Sequence, residues 1–234
     1  MSPVRPGSEP PTLADGMSVR RGRGDATREA LINAAEVLMA EHGIDAVDLH
    51  EVQVLAGARN RSAVQYHFES REGLVAAVLN PHRKLVNERR LRMLDRIVRT
   101  GDVTPQTLVD ALIMPLAEHL QTSSGQNYIL VSAQRTPFYG WQRLLEGTAP
   151  SMEGVHRWVE LVVPRLSGSA EDRRLRIGTT VLILTDSLAD LARDLKADRI
   201  TYRQARHRAR HVRDYMARGL FGDKNPESFP GSDS

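Results

Sequence analysis

The sequence predicts an all-α protein of about nine helices, in which a small N-terminal three-helix domain is followed by a larger helical domain. Apolar residues recur at intervals of three and four through most of the chain, which is the period of an amphipathic helix. Capping residues precede several of these runs and glycines follow them, as helix ends require. A short stretch rich in β-branched residues, 160–163, lies inside a helical pattern and does not predict a strand.

Residues 1–24 are predicted to be a disordered basic arm. They contain several prolines and glycines and no apolar face that could be buried. The segment ends in Arg20-Arg21-Gly22-Arg23. Two interpretations fit these charges: a solubilising tail, or an arm that enters a DNA minor groove beside a DNA-binding motif. At the other end of the chain, residues 223–234 are predicted to be a disordered polar tail.

The first helix is predicted to begin at Asp25, its cap, and to end at Gly43. Ile44 and Val47 then attach the following loop to the core. The apolar stripe of this helix consists of Leu31, Ala34, Ala35, Leu38 and Met39.

The stretch from Asp48 to Phe68 predicts two short helices joined by a sharp turn. Asp48 caps the first of them, and Glu51 three positions later completes a capping box. Gly57 closes this helix, because its C-terminal cap needs a left-handed residue. The apolar side of the first helix is Leu49, Val52, Leu55 and Ala56.

Two helices joined by a tight turn that contains glycine form a helix-turn-helix, whose second helix fits the major groove of DNA. Side chains that donate to phosphates or read base edges crowd into the second half of this motif: Arg59, Asn60, Arg61, Ser62, Gln65, Tyr66 and His67. The alternative is a solvated polar turn between two core helices, and the motif alone does not decide between the two.

Residues 27–79 resemble the N-terminal domain of the TetR/AcrR family of transcriptional regulators. The resemblance rests on Ala34-Ala35, Leu38 and Gly43 in the first helix, Ala56-Gly57 at the turn, Tyr66-His67-Phe68, and Ser70-Arg71-Glu72 opening the next helix. It implies that residues 25–80 bind DNA and that residues 81–222 form a helical ligand-binding and dimerisation domain. The residues expected to bind DNA are Arg23, Thr27, Asp48, His50, Arg59, Asn60, Arg61, Ser62, Ala63, Gln65, Tyr66, His67, Ser70 and Arg71.

The helix capped by Ser70 is predicted to be interrupted or kinked at Pro81 and to continue to Thr100-Gly101. A further helix starts at Pro105 and bends at Pro115, and the segment after it is broken near Pro137. The charged residues that follow Pro81 are expected to line a solvated face: Arg83, Lys84, Glu88, Arg89, Arg90, Arg92, Asp95 and Arg96.

Each of the last two predicted helices carries one apolar seam, with members separated alternately by four and three residues. An intramolecular core seam and a self-complementary dimer surface both fit this pattern. In the TetR family the last two helices typically pair with their mates in a four-helix bundle, so a homodimer is expected. The predicted dimer interface is Ile177, Val181, Leu184, Leu188, Leu191, Ala205, Ala209, Val212 and Met216.

Large side chains near the middle helices are the candidates for a ligand pocket, although such side chains are more often plain core. They carry few charges, which favours an apolar or aromatic ligand. The candidates are Met93, Met114, Tyr128, Gln134, Phe138, Trp141, Met152 and Trp158.

Composition excludes several kinds of chemistry. The chain has no cysteine, which rules out disulfides and thiolate metal sites and fits a cytoplasmic location. No apolar run approaches the roughly 20 residues of a membrane helix. Common catalytic motifs are absent, so neither an enzyme nor a cofactor is expected. His207 and His211 lie four positions apart and could ligate a metal, but the arginines at 203, 206, 208, 210 and 213 favour a solvated basic face.

The leading interpretation is therefore a ligand-responsive transcriptional regulator, expected to repress by binding a palindromic double-stranded DNA operator as a dimer and to be released by a small molecule. One alternative is an architectural or nucleoid DNA-binding protein without a ligand. Another, from a different class, is a helical-bundle carrier or enzyme whose helix-turn-helix resemblance is incidental. A sequence-specific footprint separates the first two from the third, and its release by a metabolite separates the first from the second.

Overall fold

The computed structural model describes the backbone of residues 13–58, 60, 62–146 and 152–222, and the side chains of residues 24–58, 60, 62–135 and 152–222. Within these ranges the chain forms nine α-helices and no strand, which confirms the predicted all-α fold. The helices are α1 (Leu13–His42), α2 (Leu49–Leu55), α3 (Ala63–Phe68), α4 (Arg71–Thr100), α5 (Pro105–His119), α6 (Ser123–Glu146), α7 (Glu153–Val162), α8 (Ala170–Lys196) and α9 (Tyr202–Phe221), with a 3₁₀ turn (Val163–Arg165) after α7.

α1 begins well before its predicted start. Asp25 lies inside the helix rather than at its cap, and residues 13–24 of the predicted disordered arm are helical. The last proline of that arm is Pro11, and beyond it only glycines oppose helix formation, at about 1 kcal/mol each relative to alanine. Residues 1–12 of the predicted arm and 223–234 of the predicted tail lie outside the described residues.

Two predicted interruptions do not break their helices. α4 runs through Pro81 and α6 runs through Pro137, because a proline removes only one intrahelical bond and the flanking turns can still pack. Around Pro81 these turns are held by buried Val78 and Val86. α4 is therefore a single helix of 30 residues, and the domain boundary predicted at residues 80–81 falls inside it.

Several helix ends follow the sequence prediction. Ser70 caps α4 by accepting a hydrogen bond from the Gly73 N–H at 3.0 Å, and Gly101 ends the same helix in the left-handed conformation. α8 is capped by Ser169, whose hydroxyl and the Asp172 carboxylate form a capping box. These local signals fix where α4 and α8 start.

One cluster of buried hydrophobic residues extends from the N-terminal helices α1–α4 through the later helices α5–α9. The first half of α4 packs with α1 and α3, and the second half packs with α5 and α7. α6 packs on α8 and also on α1, while α9 packs on α5 and α8. None of the described helices is long and apolar enough to cross a membrane.

Candidate nucleic-acid interface

The turn after α2 is closed by hydrogen bonds of the Schellman type. Gly57 has a φ of 64°, as the sequence predicted. Its N–H donates to the carbonyl of Val54, and the Ala58 N–H donates to the carbonyl of Gln53. This pair of hydrogen bonds sets the direction in which the chain leaves α2.

The start and the buried side of α2 differ in detail from the prediction. Asp48 accepts a hydrogen bond from the His50 N–H at 2.9 Å, so this single bond stands in place of the predicted capping box with Glu51. Val52 is buried, but Leu55 is 57% exposed and does not belong to the apolar side. Because α2 has only seven residues, one buried stripe through Val52 is enough to anchor it.

α3 presents a polar outer face on an apolar anchor. Ala63, Val64 and Phe68 are buried, and they hold the helix against the domain core. Gln65 and Tyr66 are exposed on the opposite side, and Tyr66 has 79% of its surface exposed. An exposed aromatic side chain of this size is unusual on a short helix, and its ring is available to a partner.

Neighbouring aromatic and cationic groups fix the end of α3. The Tyr66 ring contacts the His67 ring edge to face, with centroids 4.9 Å apart. The guanidinium carbon of Arg28, on α1, lies 5.3 Å from the centroid of the Phe68 ring, which is within cation–π range. α3 is thus oriented by α1 as well as by its own buried residues.

The turn between α2 and α3 is organised by Asn60. Its side-chain oxygen accepts a hydrogen bond from the Ser62 N–H at 2.9 Å, and its carbonyl accepts one from the Ala63 N–H at 3.0 Å. Such Asx turns let a short polar side chain set the local backbone. Arg59 and Arg61, two of the predicted DNA contacts, lie outside the described residues.

Four residues of the predicted DNA-binding set have structural roles, and one of them is Asp48, the cap of α2. Ala63 is buried, because α3 needs an apolar anchor in its first turn. Ser70 is the cap of α4. Arg71 donates from Nη1 to the carbonyls of Ile44 and Val47, each at 2.8 Å, because these loop carbonyls lack helical partners.

The remaining members of the predicted set are distributed along three helices, α1, α2 and α3, and the turn between α2 and α3. Ser62 and His50 are exposed, whereas Thr27 and His67 are half-buried. Arg23 lies in α1, and its side chain is outside the described residues. Among the described side chains, the predicted contacts that face outward together are those of α3 and its turn: Asn60, Ser62, Gln65 and Tyr66.

A buried carboxylate joins α1, which packs beside the helix-turn-helix, to α4 and α6. Glu36 of α1 is 7% exposed and accepts hydrogen bonds from Ser124 at 3.0 Å and from Asn127 at 3.2 Å, both on α6. Its second partner helix is α4, where His82 Nε2 lies 3.2 Å from the same carboxylate. Burial by itself would raise the pKa of Glu36, but the hydrogen bonds from His82, Ser124 and Asn127 lower it overall. The anionic form is thus the one this junction favours.

This cluster contains the residue types of a hydrolytic triad without its geometry. Ser124 Oγ lies 3.3 Å from His82 Nε2, and Glu36 Oε2 lies 3.2 Å from the same nitrogen. In a triad the nucleophile and the acid contact different nitrogens of the imidazole, so that one orients the ring while the other loses its proton. The cluster therefore has the geometry of a structural junction.

Gln134 of α6 forms a second connection to α1. Its side-chain oxygen accepts a hydrogen bond from the Ile44 N–H at 2.7 Å, and its side-chain nitrogen donates to the carbonyl of Met39 at 3.1 Å. Both partners lie at the C-terminal end of α1, where Gly43 takes a φ of 96°. Gln134 was predicted to line a ligand pocket, and it instead completes the cap of α1.

The other pocket candidates divide into three groups. Trp158 is fully buried and donates from its indole nitrogen to the carbonyl of Leu108 at 2.7 Å, and Tyr128 is buried with its ring stacked on His82 at 4.8 Å. Both are therefore core residues that join helices. Met93, Met114 and Met152 are buried or half-buried without such polar bonds. The side chains of Phe138 and Trp141 lie outside the described residues.

α4 carries buried polar residues that the sequence did not reveal. Arg90, predicted to lie on a solvated face, is only 5% exposed and donates to two carbonyls of α5. Asn87 is buried as well, and its oxygen accepts a hydrogen bond from the Gly154 N–H at 2.7 Å, in the first turn of α7. Arg89 pairs with Glu118 of α5 through two hydrogen bonds of 3.0 Å. These bonds attach α4 to α5 and α7.

The residues of the predicted dimer interface are nearly all covered by the rest of the same chain. Eight of its nine residues are buried within the single chain: Ile177, Val181, Leu184, Leu188, Leu191, Ala205, Ala209 and Met216. The ninth, Val212, is half-buried. A four-three repeat predicts one buried seam per helix, and here α5, α6 and the neighbouring terminal helix fill that seam. The outward faces of α8 and α9 carry other apolar residues, namely Leu175, Leu182 and Tyr215.

Comparison with known proteins adds no assignment. No protein-family model matches the chain, and no curated protein matches it. Any functional assignment therefore depends on the residues and contacts of this chain.

Proposed function

We propose that the protein is a ligand-responsive, DNA-binding transcriptional regulator of the TetR/AcrR type, acting as a repressor. The observation that carries this proposal is the outer face of α3. A short helix whose apolar side is anchored by Ala63, Val64 and Phe68 turns Gln65 and Tyr66 outward. Glutamine and tyrosine can read base edges and contact phosphates in a major groove, and Arg59 and Arg61 in the preceding turn would supply further cationic contacts.

We place the dimer interface of the proposal on the outward faces of α8 and α9. The two helices are joined by a short loop and bridged by an Asp194–Arg208 ion pair, so they run antiparallel. Leu182 and Tyr215 then lie at similar distances from the loop, and both are exposed. A helix surface with exposed large apolar side chains is typical of an interface.

Charge supports a two-fold arrangement of these faces. The outward face of α8 carries Asp186 and Asp190, whereas the face of α9 around Tyr215 carries Arg208 and Arg218. In an isologous dimer, α8 of one protomer lies against α9 of the other, so acidic and basic faces would meet twice. Such a dimer would place its two α3 helices on half-sites about 34–36 Å apart, or a multiple of that distance, on a palindromic operator.

The proposed response to a small molecule uses α4 and α6 together. α4 is attached to α5 and α7 by Arg89, Arg90 and Asn87, and α6 is attached to α1 by Gln134 and by the Glu36 cluster. An effector that shifts these helices would therefore move α1 and the helix-turn-helix. Couplings of about 1–3 kcal/mol are typical, and the operator must weaken effector binding by the same factor.

The direct test is selection of bound DNA from a random pool, followed by affinity measurement on the selected site. Replacing Tyr66 or Gln65 by alanine should weaken binding by about 1–3 kcal/mol if the lost contact is to a base. Arg96→Ala serves as the control, since Arg96 is exposed on α4 away from α3. Failure to select any sequence, or wild-type affinity in both α3 variants, would contradict the proposal. Selection of DNA without any sequence preference would favour an architectural protein instead.

A further inference from the structure

The outward face of α9 holds two histidines whose ring nitrogens converge. His207 Nε2 lies 3.0 Å from His211 Nε2, and the two rings meet at 88° with centroids 4.6 Å apart. Both side chains are exposed, and they are one helical turn apart on the same face. A contact of this length requires one nitrogen to donate and the other to accept, so the two ring nitrogens face each other.

Once the shared proton is lost, a metal ion that lies to one side of the line joining the two nitrogens can bind both. With metal–nitrogen bonds of about 2.05 Å, two nitrogens at this separation subtend an angle of about 94° at the metal. That angle is close to the 90° between neighbouring ligands in square-planar and octahedral complexes, and smaller than the tetrahedral angle that zinc adopts. The geometry thus matches Cu²⁺ and Ni²⁺ better than Zn²⁺.

Two of the arginines of α9 are paired with carboxylates, so their repulsion of a cation is weaker than the number of arginines indicates. Arg208 is paired with Asp194 at 3.1 Å, and Arg213 is paired with Asp110 at 3.2 Å and with Asp214 at 2.9 Å. The remaining arginines nearest the pair are Arg203, Arg206 and Arg210, which are exposed and lie within about one turn of the histidines. At an exposed site in water, single charges several ångströms apart interact by roughly 1 kcal/mol or less.

We propose that His207 and His211 form a chelating site for a late first-row divalent transition metal, with Cu²⁺ bound more tightly than Ni²⁺ and Ni²⁺ more tightly than Zn²⁺. Among the described side chains no third His, Asp or Glu joins the pair, so water fills the other coordination positions. The site does not depend on the proposed regulatory function.

The test is calorimetric titration of the full chain, prepared without an affinity tag, with Cu²⁺, Ni²⁺ and Zn²⁺ in separate runs. The expected result is one Cu²⁺ per chain, bound in the stated order of affinity. His207→Gln and His211→Gln should each abolish this stoichiometric binding, whereas the control His50→Gln should keep it, since His50 is an exposed histidine on α2 without a neighbouring imidazole on its helix face. Circular dichroism verifies that each variant remains helical.

Electron paramagnetic resonance of the Cu²⁺ complex supplies a second readout. The spectrum of the wild-type chain should show coupling to two imidazole nitrogens, and that of each histidine variant should show one nitrogen or free Cu²⁺. The site is overturned if no stoichiometric binding is seen, if either histidine variant binds as well as the wild type, or if the wild-type spectrum shows a single nitrogen.

Discussion

The guanidinium of Arg90 on α4 occupies the gap that Pro115 makes in the hydrogen bonding of α5. Pro115 has no N–H, so the carbonyl of Ala111 loses its helical partner. Arg90 Nε donates to that carbonyl and Nη2 donates to the carbonyl of Leu112, both at 3.2 Å. Burial lowers the pKa of Arg90 to about 10, so the side chain is still a protonated donor at neutral pH. Arg90 thus supplies the hydrogen-bond donor that α5 lacks because of Pro115.

Replacing Arg90 should lower the free energy of unfolding by less when Pro115 is replaced as well. Arg90→Ala leaves the buried Ala111 carbonyl without a donor, and one unsatisfied group costs about 1–3 kcal/mol. In a Pro115→Ala background the amide of residue 115 can bond Ala111, so the second substitution should be milder by about 1 kcal/mol or more. Urea unfolding of the four proteins gives this difference in the free energy of unfolding. Additive effects would show that the two residues are independent.

Arg92 provides the matched control for this cycle. It is an arginine on the same helix as Arg90, but it is exposed. Arg92→Ala should change the free energy of unfolding by no more than about 0.5 kcal/mol, because surface substitutions away from special features are usually that small.

The bond between Gln134 and Ile44 should be visible in amide exchange. Gln134→Ala removes the acceptor of the Ile44 N–H and the donor to the Met39 carbonyl. The Ile44 amide should then exchange faster with solvent, while the amide of Val52 in α2 keeps its rate because its bond to Asp48 is unaffected. Gln134→Glu keeps an acceptor for Ile44 and should restore its protection. Unchanged exchange at Ile44 in the alanine variant would contradict this connection.

Acid should weaken the junction between α1, α4, α5 and α6 in two steps. Burial, together with the charge of His82, lowers the pKa of His119 below its ordinary value. The unfolded chain therefore takes up this proton first, and the contribution of His119 to stability is lost as the pH falls below about 6.5. The pKa of Glu36 is also lowered in the folded chain, so its contribution is present above about pH 4.3 and is lost as the pH falls further.

Urea unfolding between pH 7 and pH 3 separates the two steps. His119→Gln should lose less stability than the wild type between pH 7 and pH 5. Glu36→Gln should start from a lower stability at pH 7, because its partners were arranged for an anion, and should lose less below pH 5. Parallel curves for all three proteins would contradict the assignment of these two groups.

The local signals in the sequence predicted the structure well. Gly57 can take the left-handed conformation that a helix end requires, and Ser70 caps α4 through a hydrogen bond to a residue three positions away. Both roles depend on neighbours in sequence, so they could be predicted without tertiary information. The structural roles of Glu36, Arg90 and Gln134 could not be predicted in this way. Their roles depend on partners far away in sequence, such as Asn127 for Glu36 and Ala111 for Arg90. Glu36 did leave one signal, since it falls on the same helix face as Ile32 and Met39.

The apolar seams of α8 and α9 mark a limit of periodicity. A four-three repeat states that one face is buried, and it carries no information about which chain covers that face. For Leu188 and Ala209 the cover comes from the same chain. The proposed recognition face was easier to locate, because its polar residues follow a glycine turn that fixes the orientation of α3, although the roles of Ala63 and Arg71 became apparent only from their contacts.

If the protein is a dimer through its last two helices, substitutions on the outward face should separate the protomers without unfolding them. Leu182→Asp and Tyr215→Asp place a charge where an apolar contact is proposed, and burying an unpaired charge is strongly unfavourable. Each variant should sediment as a folded monomer and bind a palindromic operator far more weakly, since the two half-sites are no longer linked. Leu188→Asp is the contrasting case, because Leu188 is 1% exposed within one chain, and it should lower the thermal midpoint of the monomer itself. Dimers that persist in both outward variants would place the interface on another surface.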